Sequence, residues 1–284
     1  MSLEKIAVVT DSTAYIPREQ VVQHDIHIVP LSVTVGGQSF KEEKELSTED
    51  FYTYAKKSED FPTSSQPAPG EFIHVFETLK DKGIDTIITI HLSSKISGTY
   101  QNAVSAGNLV DGVNVIAIDS GISCMAQGML VLKAAEGIST GKSVQEIQQN
   151  IEELLDAMDA YFMVDDLNNL AHGGRLNGAQ AMIGSLLQIK PILHFEEKKI
   201  ELFEKVRTQK KALKRIEELL AEAVERNQAQ QAYVIHGNCP EKGLKWMNEL
   251  QVNFPSVEFE LSYFGPVIGT HLGEGALGLT WSIK

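Results

Sequence analysis

Four short apolar runs recur along the chain without strict polar alternation, and helical periodicity fills the stretches between them. The runs are Ile6-Ala7-Val8-Val9, Thr86-Ile87-Ile88-Thr89-Ile90, Val113-Asn114-Val115-Ile116-Ala117-Ile118 and Tyr233-Val234-Ile235. A strand with one wet face alternates; a run without alternation fits a strand covered on both faces. After Pro69-Gly70, residues Phe72, Val75, Phe76 and Leu79 recur at helical spacing, and Gly83 closes that stretch. Val144, Ile147, Ile151, Leu154, Leu155 and Met158 share one face of a second helix, opened by a Ser143/Glu146 capping box. Ala212, Leu213, Ile216, Leu219, Leu220, Ala223 and Val224 form a third apolar face. Strands alternating with helices predict α/β layers around a largely parallel sheet.

A chain of 284 residues is long for one domain, and the expectation is two. The cut is placed near residue 160, after the capped helix. That gives an N-terminal α/β domain at 1–160, with a largely parallel sheet flanked by helices, and a layered α/β domain at 161–284. The 38 acidic residues against 25 Lys and Arg, a net charge of -13, argue against a general nucleic-acid binder. Two cysteines, Cys124 and Cys239, cannot build a disulfide framework and suit a reducing compartment. The first residues lack a signal pattern, and no apolar run approaches the roughly 18 residues that span a bilayer. The expectation is a folded cytoplasmic protein.

Several apparent motifs fail on context. Gly273-Glu274-Gly275-Ala276-Leu277-Gly278 matches the dinucleotide fingerprint, but six residues after it leave no room for the helix or the later acidic residue. Gly137-Ile138-Ser139-Thr140-Gly141-Lys142-Ser143 is one residue short of a P-loop and follows a helical stretch, so it reads as a helix end and the next cap. The eight histidines are scattered and no paired C-x-x-C occurs, so no metal is expected. No G-x-S-x-G elbow is present.

Hydroxyls cluster instead. Thr63-Ser64-Ser65 lies in a Pro/Ser-rich loop, and Ser93-Ser94-Lys95-Ile96-Ser97-Gly98-Thr99 follows the strand ending near His91-Leu92. Ligands of open α/β sheets sit beyond the carboxyl ends of strands. A Ser/Gly/Thr loop entering a helix there offers N–H and O–H donors to an anion. The competing reading makes these residues, and Asp11-Ser12-Thr13 after the first strand, caps and turn formers.

Taken in order, Thr10-Asp11-Ser12-Thr13, Pro30-Leu31-Ser32-Val33, Thr63-Ser64-Ser65-Gln66-Pro67, Leu92-Ser93-Ser94-Lys95-Ile96-Ser97-Gly98-Thr99-Tyr100, Gly173-Gly174-Arg175-Leu176, Lys205-Val206-Arg207-Thr208, Gly265-Pro266-Val267 and His271-Leu272-Gly273 resemble the DegV family. Its members are fatty-acid-binding carrier subunits of bacterial fatty acid kinase. The resemblance spans essentially the whole chain. It implies one long-chain fatty acid in a buried apolar tunnel to which residues 161–284 contribute, with the carboxylate held by hydroxyls. The matching positions are Ser64 and Ser97, with Thr63 as the neighbour of Ser64 and His271 as a further carboxylate contact. Family members often carry Thr where Ser64 stands. Apolar stretches such as Met182-Ile183-Gly184-Ser185-Leu186-Leu187 are tunnel-lining candidates, with core packing as their ordinary reading.

The resemblance also implies a separate ATP-dependent kinase subunit that phosphorylates the presented carboxylate, and no cofactor in this chain. Arg175 and the Arg207 region are its candidate docking residues. Eight Lys and Arg stand against two acids between Lys198 and Arg215. That cluster is a solvated face, or it meets an acidic partner or, transiently, an anionic membrane surface. The rival reading is an acyl-ester hydrolase or transferase built on Ser97 and His271, with Asp11 as the acid of the set. A third is a regulatory module whose lipid occupancy changes partner binding.

Overall fold

The computed structural model describes residues 4–165, 167–176 and 189–283. From the N-terminus come β1 (Ile6–Asp11), a single 3-10 turn (Ser12–Ala14), α1 (Arg18–Gln23), β2 (His27–Val29), β3 (Ser32–Val35), β4 (Gln38–Lys41), α2 (Thr48–Lys57) and β5 (Thr63–Ser65). Next are α3 (Pro69–Asp81), β6 (Thr86–His91), α4 (Thr99–Gly107), β7 (Asn114–Asp119), α5 (Cys124–Ser139) and α6 (Val144–Asp156). The remainder holds β8 (Asp159–Met163), α7 (Asn168–Gly173), β9 (Lys190–Glu196), β10 (Lys199–Val206) and α8 (Gln209–Glu225). It closes with β11 (Gln231–His236), α9 (Pro240–Asn253), β12 (Glu258–Tyr263), α10 (Pro266–Leu272) and β13 (Leu277–Ser282).

Contacts divide the chain into two units. The first joins the described residues up to Ser32 with Ser65–Asp156; the second joins Val33–Ser64 with the described residues from Ala157 onward. This differs from a single cut near residue 160, because residues 33–64 pack with the C-terminal unit. The reason is a set of long-range bonds that no local pattern announces. Tyr52 Oη donates to Phe264 O at 3.0 Å, the buried Glu42 accepts from Val267 N at 2.7 Å, and Tyr263 Oη donates to the Glu43 carboxylate.

The first unit is a four-stranded sheet, order β2-β1-β6-β7, parallel throughout. All six residues of β6 are buried, as its unbroken apolar run requires when helices cover both faces. Phe72, Phe76 and Leu79 of α3 and Ala103 and Ala106 of α4 pack with Ala7, Val9 and Ile87 of the sheet. Strand order progresses outward from β1 to β2 on one side and to β6 and β7 on the other, which makes the carboxyl ends of β1 and β6 a topological switch point. α6 starts as its capping box dictates, with Ser143 Oγ accepting from Glu146 N and the Glu146 carboxylate accepting from Ser143 N. The P-loop look-alike is therefore the end of α5 followed by this cap.

The second unit contains a six-stranded mixed sheet, order β10-β9-β8-β13-β11-β12. Ile216 and Leu220 of α8 and Trp246 and Leu250 of α9 bury against Val234, Leu279 and Trp281 of that sheet. The glycine-rich stretch 273–278 is the turn that leads into β13, a central strand hydrogen-bonded to β8 and β11. A three-stranded sheet, order β4-β3-β5, accompanies α2, whose Phe51 and Tyr52 pack with Val33, Val35 and Leu46.

Candidate functional site

In the second unit, Ser64 occupies the middle of β5 and His271 the last turn of α10. Their side chains meet, with Ser64 Oγ 2.8 Å from His271 Nε2. The segment that carries Ser64 also holds both approaches to α10, through Tyr52 at Phe264 and Glu42 at Val267. This ties the hydroxyl and the imidazole to one small scaffold. His271 is 9% exposed. Burial, and then the nearby Arg175 charge, hold its pKa down to about 4, so the ring is neutral near pH 7.

The ring is gripped from its other edge. α7 ends at Gly173, and an ideal Cβ there would lie 2.2 Å from His271 Nδ1, so only glycine admits the ring in this position. The Arg175 guanidinium donates to Gly173 O, and desolvation of this half-buried side chain pulls its own pKa down. Among the described residues, Nδ1 has no hydrogen-bond partner. A proton on Nδ1 would be buried without an acceptor among the described residues, a costlier state than a bare lone pair. The network therefore assigns the proton to Nε2, which donates to Ser64 Oγ. The Ser64 hydroxyl then keeps its own proton free to donate to a ligand oxygen. Thr63, next to it on β5, is exposed.

In the first unit, Ser97 lies in the loop between β6 and α4. The strands on either side of β6 each end in an aspartate that clasps this loop. Asp11 accepts from Leu92 N at 3.0 Å; Asp119 accepts from Ser94 N at 3.0 Å and from Ser94 Oγ at 2.7 Å. Ser93 O takes the N–H groups of Ile96 and Ser97. Ser97 Oγ is half-buried, 2.8 Å from Thr99 Oγ1, and accepts from Thr99 N at 3.3 Å, which closes a serine turn just ahead of α4.

Other hydroxyls of these clusters hold local turns or tie neighbouring segments together. Ser12 Oγ accepts from Leu31 N, Thr13 Oγ1 donates to Asp11, Ser93 Oγ accepts from Lys95 N, and Ser94 Oγ donates to Asp119. The imidazole that Asp11 meets is that of His91. The fully buried Asp11 carboxylate accepts from His91 Nδ1, Leu92 N, Gln127 Nε2, Thr13 N and Thr13 Oγ1.

Arg175, a candidate for a partner surface, stands beside His271. Arg207 is exposed between β10 and α8. The basic cluster around it is partly neutralised internally: Arg215 pairs with Glu204 and Glu218, and Lys214 with Glu217. The candidate tunnel stretch 182–187 lies outside the described residues. Among those described, no group of His, Cys, Asp and Glu could hold a metal ion, and no helix is long and apolar enough to cross a membrane. Sequence reasoning missed His91, Gln127, Asp119, Glu42 and Tyr52. The one available signal was a polar residue within or ending an apolar run, as at His91 and Gln127.

Residues 5–284 match the family model described as "Uncharacterised protein, DegV family". The chain belongs to the DegV family. It is 66% identical over 281 residues to a DegV domain-containing protein of Listeria innocua, covering 99% of each chain. Among solved structures, DegV from Bacillus subtilis, described as a fatty acid binding protein, is 52% identical with a TM-score of 0.93, covering 99% of this chain and 100% of that one. A fatty acid binding DegV family protein from Streptococcus agalactiae is 32% identical with a TM-score of 0.92, covering 99% of each. The fold is therefore the mixed α/β fold of DegV structures, with a helix-flanked parallel sheet and a second domain of sheet and helices.

Proposed function

We propose that this protein binds a long-chain fatty acid, shields its chain and presents its carboxylate to a separate ATP-dependent kinase that forms the acyl phosphate. The observation that carries the reading is the Ser64–His271 pair, a neutral imidazole that turns a serine hydroxyl outward as a donor. The fatty-acid-binding descriptions of similar DegV structures support it. By resemblance to the family, Ser64, Ser97 and His271 are the candidate contacts of the acid head, with Thr63 as the neighbour of Ser64.

Neutral donors suit this task. Burial of about fourteen methylenes contributes up to roughly 11 kcal/mol at about 0.8 kcal/mol each. A charge-assisted hydrogen bond adds only about 1.5–3 kcal/mol. The chain thus dominates affinity, and the hydroxyls fix register while leaving a carboxylate oxygen able to attack a phosphoryl donor. A fixed lysine at the same place would hold the acid more tightly and make it a poorer nucleophile.

Arg175 and Arg207 remain the proposed kinase-docking residues, with the Arg175 charge adding to the burial that keeps His271 neutral. Native mass spectrometry of protein purified without added lipid, followed by extraction, tests the reading. The expected result is one fatty acid per chain, with retention reduced in Ser64→Ala and in Ser97→Ala. Lipid-free protein that binds no added fatty acid would overturn it. Acyl phosphate formed by a cognate kinase only in the protein's presence tests the presentation step.

A further inference from the structure

Gln66 has no role in the site as described so far. It follows β5 directly, and Pro67 and Ala68 link it to α3. Pro67 is buried and its carbonyl accepts from Asn102 Nδ2 of α4 at 2.9 Å, so the chain at Gln66 is tied to the helix that follows Ser97 and Gly98. The Gln66 carboxamide lies over Gly98, the residue after Ser97. An ideal Cβ at Gly98 would be 2.8 Å from Gln66 Nε2 and 3.2 Å from its Cδ. Gly98 is at φ −80, where any residue is comfortable. Backbone freedom therefore does not require glycine at 98; a side chain there would push the carboxamide off its present seat.

We propose that Gln66 is a further contact for the fatty-acid head group, its carboxamide donating an N–H to a carboxylate oxygen beside Ser97, with Gly98 kept bare to seat it. The chemistry matches the rest of the site. A carboxamide is a neutral donor with two N–H groups and cannot be deprotonated. It adds a directed bond to an acid head without a compensating charge. A fatty alcohol accepts one such bond only weakly, so Gln66 discriminates acid from alcohol rather than raising affinity for every lipid.

This inference rests on the fatty-acid reading, and the test separates the two. Full-length protein, stripped of lipid, is titrated with hexadecanoic acid and with hexadecan-1-ol, using wild type, Gln66→Leu, Gln66→Glu and Gly98→Ala. Gln66→Leu is expected to weaken the acid tenfold or more and leave the alcohol unchanged, with Tm unaltered. Gln66→Glu, which sets a carboxylate against a carboxylate, should lower acid affinity further. Gly98→Ala displaces a flexible, exposed side chain and should reproduce part of the loss. Equal weakening of acid and alcohol, or an unchanged acid preference in both Gln66 variants, overturns the role of Gln66 while the carrier reading stands. Wild type that binds neither lipid overturns both.

Discussion

Each unit buries a histidine, and the two are built in opposite ways. His91 ends β6 and is satisfied at both nitrogens: Nδ1 donates to Asp11 at 3.0 Å, and Nε2 is 2.6 Å from Thr89 Oγ1. His271 ends α10 with one nitrogen on Ser64 and the other without a partner among the described residues, next to an arginine. A complete network fixes a strand end and asks nothing of a ligand. At His271 burial keeps the imidazole neutral. The first is a structural anchor; the second is the arrangement on which the proposed site rests.

The contrast predicts unequal consequences. Asp11→Ala strips five donors of their acceptor inside the first unit and should cost about 3–5 kcal/mol, seen as a lower denaturant midpoint. A loss below about 1 kcal/mol would show that the network is not the anchor described.

The acid sensitivity of the second unit comes next. The folded chain keeps His271 neutral down to about pH 4, whereas the unfolded chain takes the proton near the ordinary value of 6.5. Between these values the unfolded state binds more protons, so stability is fully present above 6.5 and falls as pH drops toward 4. The total is roughly 3 kcal/mol. Unfolding midpoints followed across that window should fall less steeply for His271→Asn than for wild type. Identical slopes would show that the imidazole is not held neutral.

Gly173→Ala sharpens the same point by steric means. The added methyl collides with the His271 ring, and the expected loss is about 1–3 kcal/mol, with fatty-acid retention falling as Ser64 loses its partner. Retention at the wild-type level in a folded Gly173→Ala protein would break the link between ring position and site. As a control outside both regions, Ser143→Ala should remove the α6 cap, cost about 1 kcal/mol, and leave lipid retention untouched.

Much of the scaffold was legible because its causes are local. The unbroken runs at Ile6–Val9 and Thr86–Ile90 became parallel strands β1 and β6. The Ser143/Glu146 box became a helix start, and the spacing of Ala212, Ile216 and Leu220 became a buried face of α8. The site was legible only in part. Ser64 and His271 came from ordered motifs that resemble a family, and no spacing within the chain links residues 207 positions apart.

Amino-acid order alone determined the α/β alternation, the helix caps, the excess of negative charge and the positions where hydroxyls cluster, since each depends on neighbours a few residues away. Tertiary structure decided which hydroxyls meet partners from distant segments and which close local turns. It also decided that residues 33–64 pack with the C-terminal unit, and that one buried histidine is complete while the other is not. Those outcomes depend on desolvation and on hydrogen-bond partners brought from distant segments, and both come into being only when the chain closes around them.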